Sequence, residues 1–209
     1  MELKLRHNIP IEEFDYVMLK SALKNYKNPR VKINDLLKRN EIVRVKKGLY
    51  VFGSNSTPSL YTKETIANLI YGPSYISIEY ALSFYGIIPE RTETITNVTN
   101  KRNKMFKTPI GRFTYKYINP KLYPFGITQI EIDDFHRVLI ATKEKAITDL
   151  LHFSKSMKET KELELFIFDD MRFDENQLKR LNKTRLKQLS RLYSGNAALF
   201  YLLWEKIHE

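Results

Sequence analysis

The chain has 209 residues, 43% apolar and 28% charged, with a mean hydropathy of −0.41. That is enough to bury a core without staples, and the absence of cysteine excludes a disulfide scaffold, a thiolate zinc site and a cysteine nucleophile together. Thirty-five Lys and Arg against 24 Asp and Glu leave +11 and a pI near 9.6, a balance that favours a polyanionic partner. No run approaches the length of a membrane span, and the N-terminus carries acid and lacks an apolar stretch, so we expect a cytoplasmic protein with no membrane partner.

The charge is concentrated. Residues 27–47 hold Lys27, Arg30, Lys32, Lys38, Arg39, Arg44, Lys46 and Lys47 against Asp35 and Glu41, a net +6. Residues 91–121 hold Arg91, Lys101, Arg102, Lys104, Lys107, Arg112, Lys116 and Lys121 against Glu93, a net +7. Residues 176–193 add Lys179, Arg180, Lys183, Arg185, Lys187 and Arg191 with no acid, a net +6. These clusters total +19, so the remainder of the chain is at −8. Three basic surfaces on a mildly acidic background is the implied design.

In chain order, Phe14, Val17, Met18, Ala22 and Leu23 are spaced for a helix over Glu12–Tyr26. Pro29 starts a second over about Arg30–Arg39, with Val31, Ile33, Leu36 and Leu37 on its apolar face and Arg30, Lys38 and Arg39 off it. Glu41–Val45 and Leu49–Phe52 flank Lys46-Lys47-Gly48 as a hairpin. Helix, turn, basic helix and basic hairpin outline a winged helix-turn-helix over 1–53. A helix fits the major groove of DNA, with Arg30 and Lys32 placed to meet base edges and Arg44, Lys46 and Lys47 to meet phosphates. Lys27, Lys38 and Arg39 complete that surface. Only two helices precede the hairpin in this reading, since residues 1–11 are polar at their start.

Gly53–Ser59 reads as a linker. A second domain over 60–209 follows, with helices over 60–86, a sheet over 94–141 and helices over 142–209. Its helices are Leu60–Tyr71 and Ser77–Tyr85; its strands are Thr94–Thr99, Ile110–Ile118, Ile127–Ile132 and Arg137–Ile140. Phe113, Tyr115 and Tyr117 alternate with Arg112, Thr114 and Lys116, which predicts a small, half-exposed antiparallel sheet with its aromatics in the core. Thr142 is placed to cap Lys143–Phe153, and helices over Glu162–Phe168, Asn176–Leu192 and Asn196–Ile207 end the chain. The fold class expected is therefore α+β.

No catalytic site emerges, and no cofactor or metal is expected. The four histidines are isolated, Asp133-Asp134 and Asp169-Asp170 are sequence neighbours that project to different sides, and no glycine-rich phosphate loop is present.

Four stretches together resemble the AbiEi family of antitoxins and transcriptional regulators from abortive-infection toxin–antitoxin systems. They are the 45–51 string VKKGLYV, the run from Ile70 to Glu90, the segment Ile95–Thr99 with Lys101-Arg102, Phe106, Thr108–Gly111 and Phe113–Tyr115, and Ile140–Leu151. The resemblance implies a non-enzymatic protein with two partners. Its winged helix would repress its own operon by binding double-stranded operator DNA through Arg30, Lys32, Lys38, Arg39, Arg44, Lys46 and Lys47. Its second domain, where Lys101 and Arg102 match a basic strand end, would counteract a nucleotidyltransferase-like toxin. Lys104, Arg112, Lys116, Lys179, Arg180, Lys183, Arg185 and Lys187 extend this second surface. The alternative is an RNA-binding protein or RNA-directed enzyme that uses the same basic surfaces.

Overall fold

The computed structural model describes residues 2–54 and 61–207; most of the expected linker, 55–59, falls outside them. A helix the sequence did not suggest opens the chain: α1, Glu2–Asn8, buries Leu5 and leads to the buried Ile9. Helix formation then waits for Asp15. Its carboxylate accepts from the Met18 N–H at 2.8 Å, an N-cap that holds the preceding residues extended. Glu13–Asp15 is consequently strand β1, and the helix predicted from Glu12 is the shorter α2, Tyr16–Ala22. Pro29 starts α3, Pro29–Lys38, and a hairpin of β2, Ile42–Lys46, and β3, Leu49–Phe52, follows, with Gly48 at φ +88° in its turn. The three strands form one antiparallel sheet in the order β1-β3-β2.

All four residues of β3 are buried because the strand has a core on each face. Tyr50 and Phe52 join Leu5, Phe14, Leu19, Ile33 and Leu36 in a small N-terminal core, where Phe14 lies 4.9 Å from Phe52. Leu49 and Val51 belong instead to the large core that contains Ile66, Ala67, Ile70 and the rest of the chain. The pleat sends alternate side chains to opposite faces, so Leu-Tyr-Val-Phe divides itself between the two.

Beyond 61 come α4 (Lys63–Ile70), β4 (Ser74–Ile76), α5 (Ile78–Phe84), β5 (Thr94–Thr99), β6 (Lys104–Thr108), β7 (Gly111–Tyr117), β8 (Ile127–Glu131) and β9 (Arg137–Ala141). They build a six-stranded sheet in the order β6-β7-β5-β4-β9-β8. It is mixed, which corrects the antiparallel expectation: β5 runs parallel to β7 and β4 parallel to β9. Alternation reports a strand's two faces and says nothing of its neighbour's direction. β4 and β6 were not predicted; β4 is three residues, all buried, and offers no alternation to read. The expected core aromatics Phe113 and Tyr115 are buried, whereas Tyr117 is 46% exposed. The Tyr115 hydroxyl donates to the Ala67 carbonyl at 2.6 Å, so this face of β7 meets α4. Lys116, on the opposite face, lies over the Phe153 ring of α6, Lys143–Phe153.

Thr142 caps α6 as predicted, its side chain accepting from Lys145 N–H. α7 (Thr160–Leu165) continues into one π-helical turn over 166–170. The helix predicted over Asn176–Leu192 is two, α8 (Glu175–Lys179) and α9 (Lys183–Tyr193), because Asn182 accepts from Arg185 N–H and caps a new start. α10, Asn196–Ile207, ends the described chain, with the Trp204 indole donating to the Leu178 carbonyl at 2.7 Å. The whole is α+β, and no described helix is long and apolar enough to cross a membrane.

Candidate nucleic-acid interface

Helix α3 has three distinct sides, fixed by the 100° step of its residues. Ile33 and Leu36 are buried. A second side gathers Lys32, Asp35 and Arg39: Asp35 accepts from Lys32 Nζ at 3.0 Å and from Arg39 Nε at 2.9 Å. The Lys32 hydrogen bond holds the Asp35 carboxyl below its ordinary range, and the Lys32 nitrogen lies 5.8 Å from the Tyr26 ring. Lys32 is thus engaged beside the helix and withdrawn from solvent, whereas Arg39 shares the same carboxylate with most of its side chain exposed. The third side carries Arg30, Val31, Asn34 and Lys38, all exposed and free of acid. Val31, expected on the buried face, is 66% exposed, an aliphatic group held in solvent on a basic face.

Arg44 and Asn34 line one groove of about 670 Å³ that runs from α3 and β2 to Tyr61 and to Pro109 and Ile110 between β6 and β7. Lys27, Arg30, Lys38, Arg44 and Lys47 are exposed and form no ion pair among the described residues. Lys46 differs. Its ammonium donates to the carbonyl of Ile70, the last residue of α4, and burial pushes its pKa down. A cation at a helix C-terminus is favoured there by the unpaired carbonyls. Adjacent lysines in the hairpin turn therefore do different work: Lys47 is open to solvent, and Lys46 ties the hairpin to the second unit.

A second tie lies at β1. Glu13 accepts from Thr62 N–H and lies 3.3 Å from His136 Nε2, while His136 Nδ1 lies 2.7 Å from Asp133. Burial opposes a charge on His136. The hydrogen bond to Asp133 and the charges of Glu13 and Asp133 outweigh it, so the imidazole pKa is raised. Glu13 is raised by burial despite His136.

The second basic cluster is divided by the pleat of β6 and β7. Lys104 pairs across from Tyr115 on the face toward α4, with Lys101 and Arg102 in the adjoining turn. Arg112 and Lys116 lie on the other face. In the third cluster Arg185 meets the buried Glu144 at 3.3 Å and Lys183 meets Glu205 at 3.3 Å. Lys183, Lys187 and Arg191 follow one another at four-residue steps along the exposed side of α9. Lys179 and Arg180 stand at the end of α8.

The most buried charged groups among the described residues lie outside the surfaces expected from the sequence. Lys145 and Asp149, one turn apart on α6, are both inaccessible to solvent and lie 3.4 Å apart. Asp149 accepts from Tyr75 at 3.0 Å, from Ser77 at 2.7 Å and from Tyr193. Lys145 donates to the Leu122 carbonyl at 2.8 Å and to the Tyr193 hydroxyl. Burial and the Asp149 charge push the Tyr75 and Tyr193 hydroxyls far up, so both are held as donors. The i, i+4 spacing in Lys-Ala-Ile-Thr-Asp was the available signal. The pair is satisfied on every side, which suits it to fixing α6 against β4 and α9. Among the described residues no cluster of His, Asp and Glu could hold a metal ion. No protein-family model matches the chain, and no curated protein matches it either.

Proposed function

We propose that residues 2–52 are a winged helix-turn-helix that binds double-stranded operator DNA. On this reading α1 supplies the third helix, α3 reads bases and Lys27, Arg44 and Lys47 hold phosphates. The observation that carries the reading is the outward side of α3, where Arg30, Val31, Asn34 and Lys38 stand exposed without an acid. Those side chains span the chemistry of base edges: guanidinium to guanine, amide to adenine, aliphatic carbon to the thymine methyl. Following the resemblance, the chain is a cytoplasmic, non-enzymatic regulator and antitoxin of the AbiEi type. Its second unit counteracts a nucleotidyltransferase-like toxin.

Fluorescence anisotropy with the duplex upstream of its own gene tests the DNA reading. Binding should weaken steeply with salt, as each neutralised phosphate releases counterions. Arg30→Ala should cost about 1–3 kcal/mol on the preferred site and less on random duplex. Equal losses on both, or none, would refute base readout by α3. Co-expression with the product of a neighbouring nucleotidyltransferase-like gene tests the antitoxin role, with growth rescue as the expected result.

A further inference from the structure

The turn between β5 and β6 builds a second basic surface, and it lies outside the N-terminal unit. Tyr71, Asn100, Lys101, Arg102, Asn103 and Tyr117 line an open cavity of about 610 Å³, with no acid among them. Its turn is held firmly. Thr99 Oγ1 donates to the Pro73 carbonyl at 2.7 Å, Lys101 Nζ to the Gly72 carbonyl at 2.6 Å, and Tyr117 N–H to Asn103 Oδ1 at 2.6 Å. The last of these fixes the Asn103 amide with its NH2 unused by that bond, and Lys101 keeps two of its three protons for another partner.

Its aromatics are divided in the same way. Tyr71 is half-buried, edge-on to Tyr115 at 5.3 Å, with the Lys101 and Lys104 ammoniums 5.7 and 5.6 Å from its ring centre. Tyr117, 46% exposed at the end of β7, stands in solvent. Arg102 and Lys104 are exposed and form no ion pair among the described residues.

We propose that this cavity binds a segment of single-stranded nucleic acid, with a base stacked on Tyr117 and its phosphates held by Lys101, Arg102 and Lys104. Cations alone would serve any polyanion. An exposed ring among them selects one with free planar faces, which a duplex hides and a single strand offers. An acidic peptide would satisfy the cations and leave the ring without a planar partner. A turn already fixed by its own hydrogen bonds loses little freedom on binding. The inference is independent of the DNA reading of α3.

Titration of the full chain with a fluorescein-labelled ten-nucleotide single strand of mixed sequence, as RNA and as DNA, tests it. At least one strand should bind more tightly than the duplex of the same sequence does to the Arg30→Ala variant. Tyr117→Ala should weaken single-strand binding about tenfold and Tyr117→Phe should retain it, since stacking needs the ring and not the hydroxyl. Arg102→Ala with Lys104→Ala should lower the salt slope by about 1.4, two phosphates' worth for a single strand. Thermal melts that superimpose on the parent show that the variants fold. Failure of both strands to bind, or binding that ignores Tyr117 and the two cations, overturns the proposal. Arg30→Ala should leave single-strand binding unchanged, so the two interfaces fail separately.

Discussion

If the N-terminal unit binds DNA as proposed, exchanging Lys46 for alanine should destabilise the chain and leave duplex binding unaltered, and Lys47→Ala should do the reverse. Lys46 gives its ammonium to the Ile70 carbonyl, a hydrogen bond from a charged group across the junction of the two units. Such bonds contribute about 1.5–3 kcal/mol net, and the half-exposed position of Lys46 places it at the low end, about 1.5 kcal/mol. For a chain of this length that is a fall in Tm of about 3–6 °C. Lys47 is exposed and pairs with no acid among the described residues, so its loss should leave Tm within about 1 °C. In the winged-helix reading it neutralises one phosphate, and its removal lowers the log–log salt slope by about 0.9. Thermal melts followed by circular dichroism, with anisotropy titrations at three or more salt concentrations, measure both quantities on the same preparations. An unchanged Tm in Lys46→Ala, together with a shallower salt slope, would refute the assignment of the two lysines.

Two further sites give outcomes of the same kind. Lys145→Met leaves the Asp149 carboxylate buried without its cation and should cost about 3–5 kcal/mol in chemical denaturation, whereas Lys145→Met with Asp149→Leu should cost less than the sum of the single changes. Additive losses would show that the two groups do not act as a pair. The raised His136 makes stability pH-dependent with a definite sign: its contribution is complete below the ordinary histidine pKa, about 6.5, and is lost as pH rises through the raised folded value. Tm should therefore fall as pH rises above about 6.5, and His136→Gln should flatten that fall, an identical slope in the variant refuting it; Glu13, also raised, acts in the same direction from its own ordinary value upward.

Sequence patterning found most elements because their signals are local. Thr142 and its helix, the hairpin, and the strands around Thr94, Gly111 and Arg137 were all legible from caps, turn residues and alternation. Phe14 was misplaced for an equally local reason: it sits four residues before Met18, a helical spacing, while Asp15 between them caps and holds Phe14 extended. Sheet direction was not legible, because β5 pairs directly with β7 and not with β6, the strand that follows it in sequence, and nothing in either segment encodes that neighbour. On α3 the basic residues were visible and their sides were not. Asp35, three residues from Lys32 and four from Arg39, draws both cations aside and leaves Arg30, Val31, Asn34 and Lys38 outward. The role of the Lys145–Asp149 pair is not legible in the sequence because an i, i+4 ion pair also suits an exposed helix; only the burial of α6 distinguishes the two.

β3 changes what the N-terminal unit is. A hairpin that projects freely could be trimmed or rotated without consequence for the rest of the chain. Here Tyr50 and Phe52 complete the small core while Leu49 and Val51 complete the large one, and Glu13 and Lys46 add polar ties on the same junction. Separating the units would expose Leu49 and Val51 to water, each a loss of about 1.5–3 kcal/mol, and would strip His136 of one carboxylate. The helix that presents Arg30 and the strand end that presents Tyr117 are therefore parts of one construction, joined by Val45, Leu49 and Val51 in the large core and by the polar ties of Glu13 and Lys46. An event that pries at that junction must break apolar contacts from β2 and β3 and polar ties from β1 and β2 together.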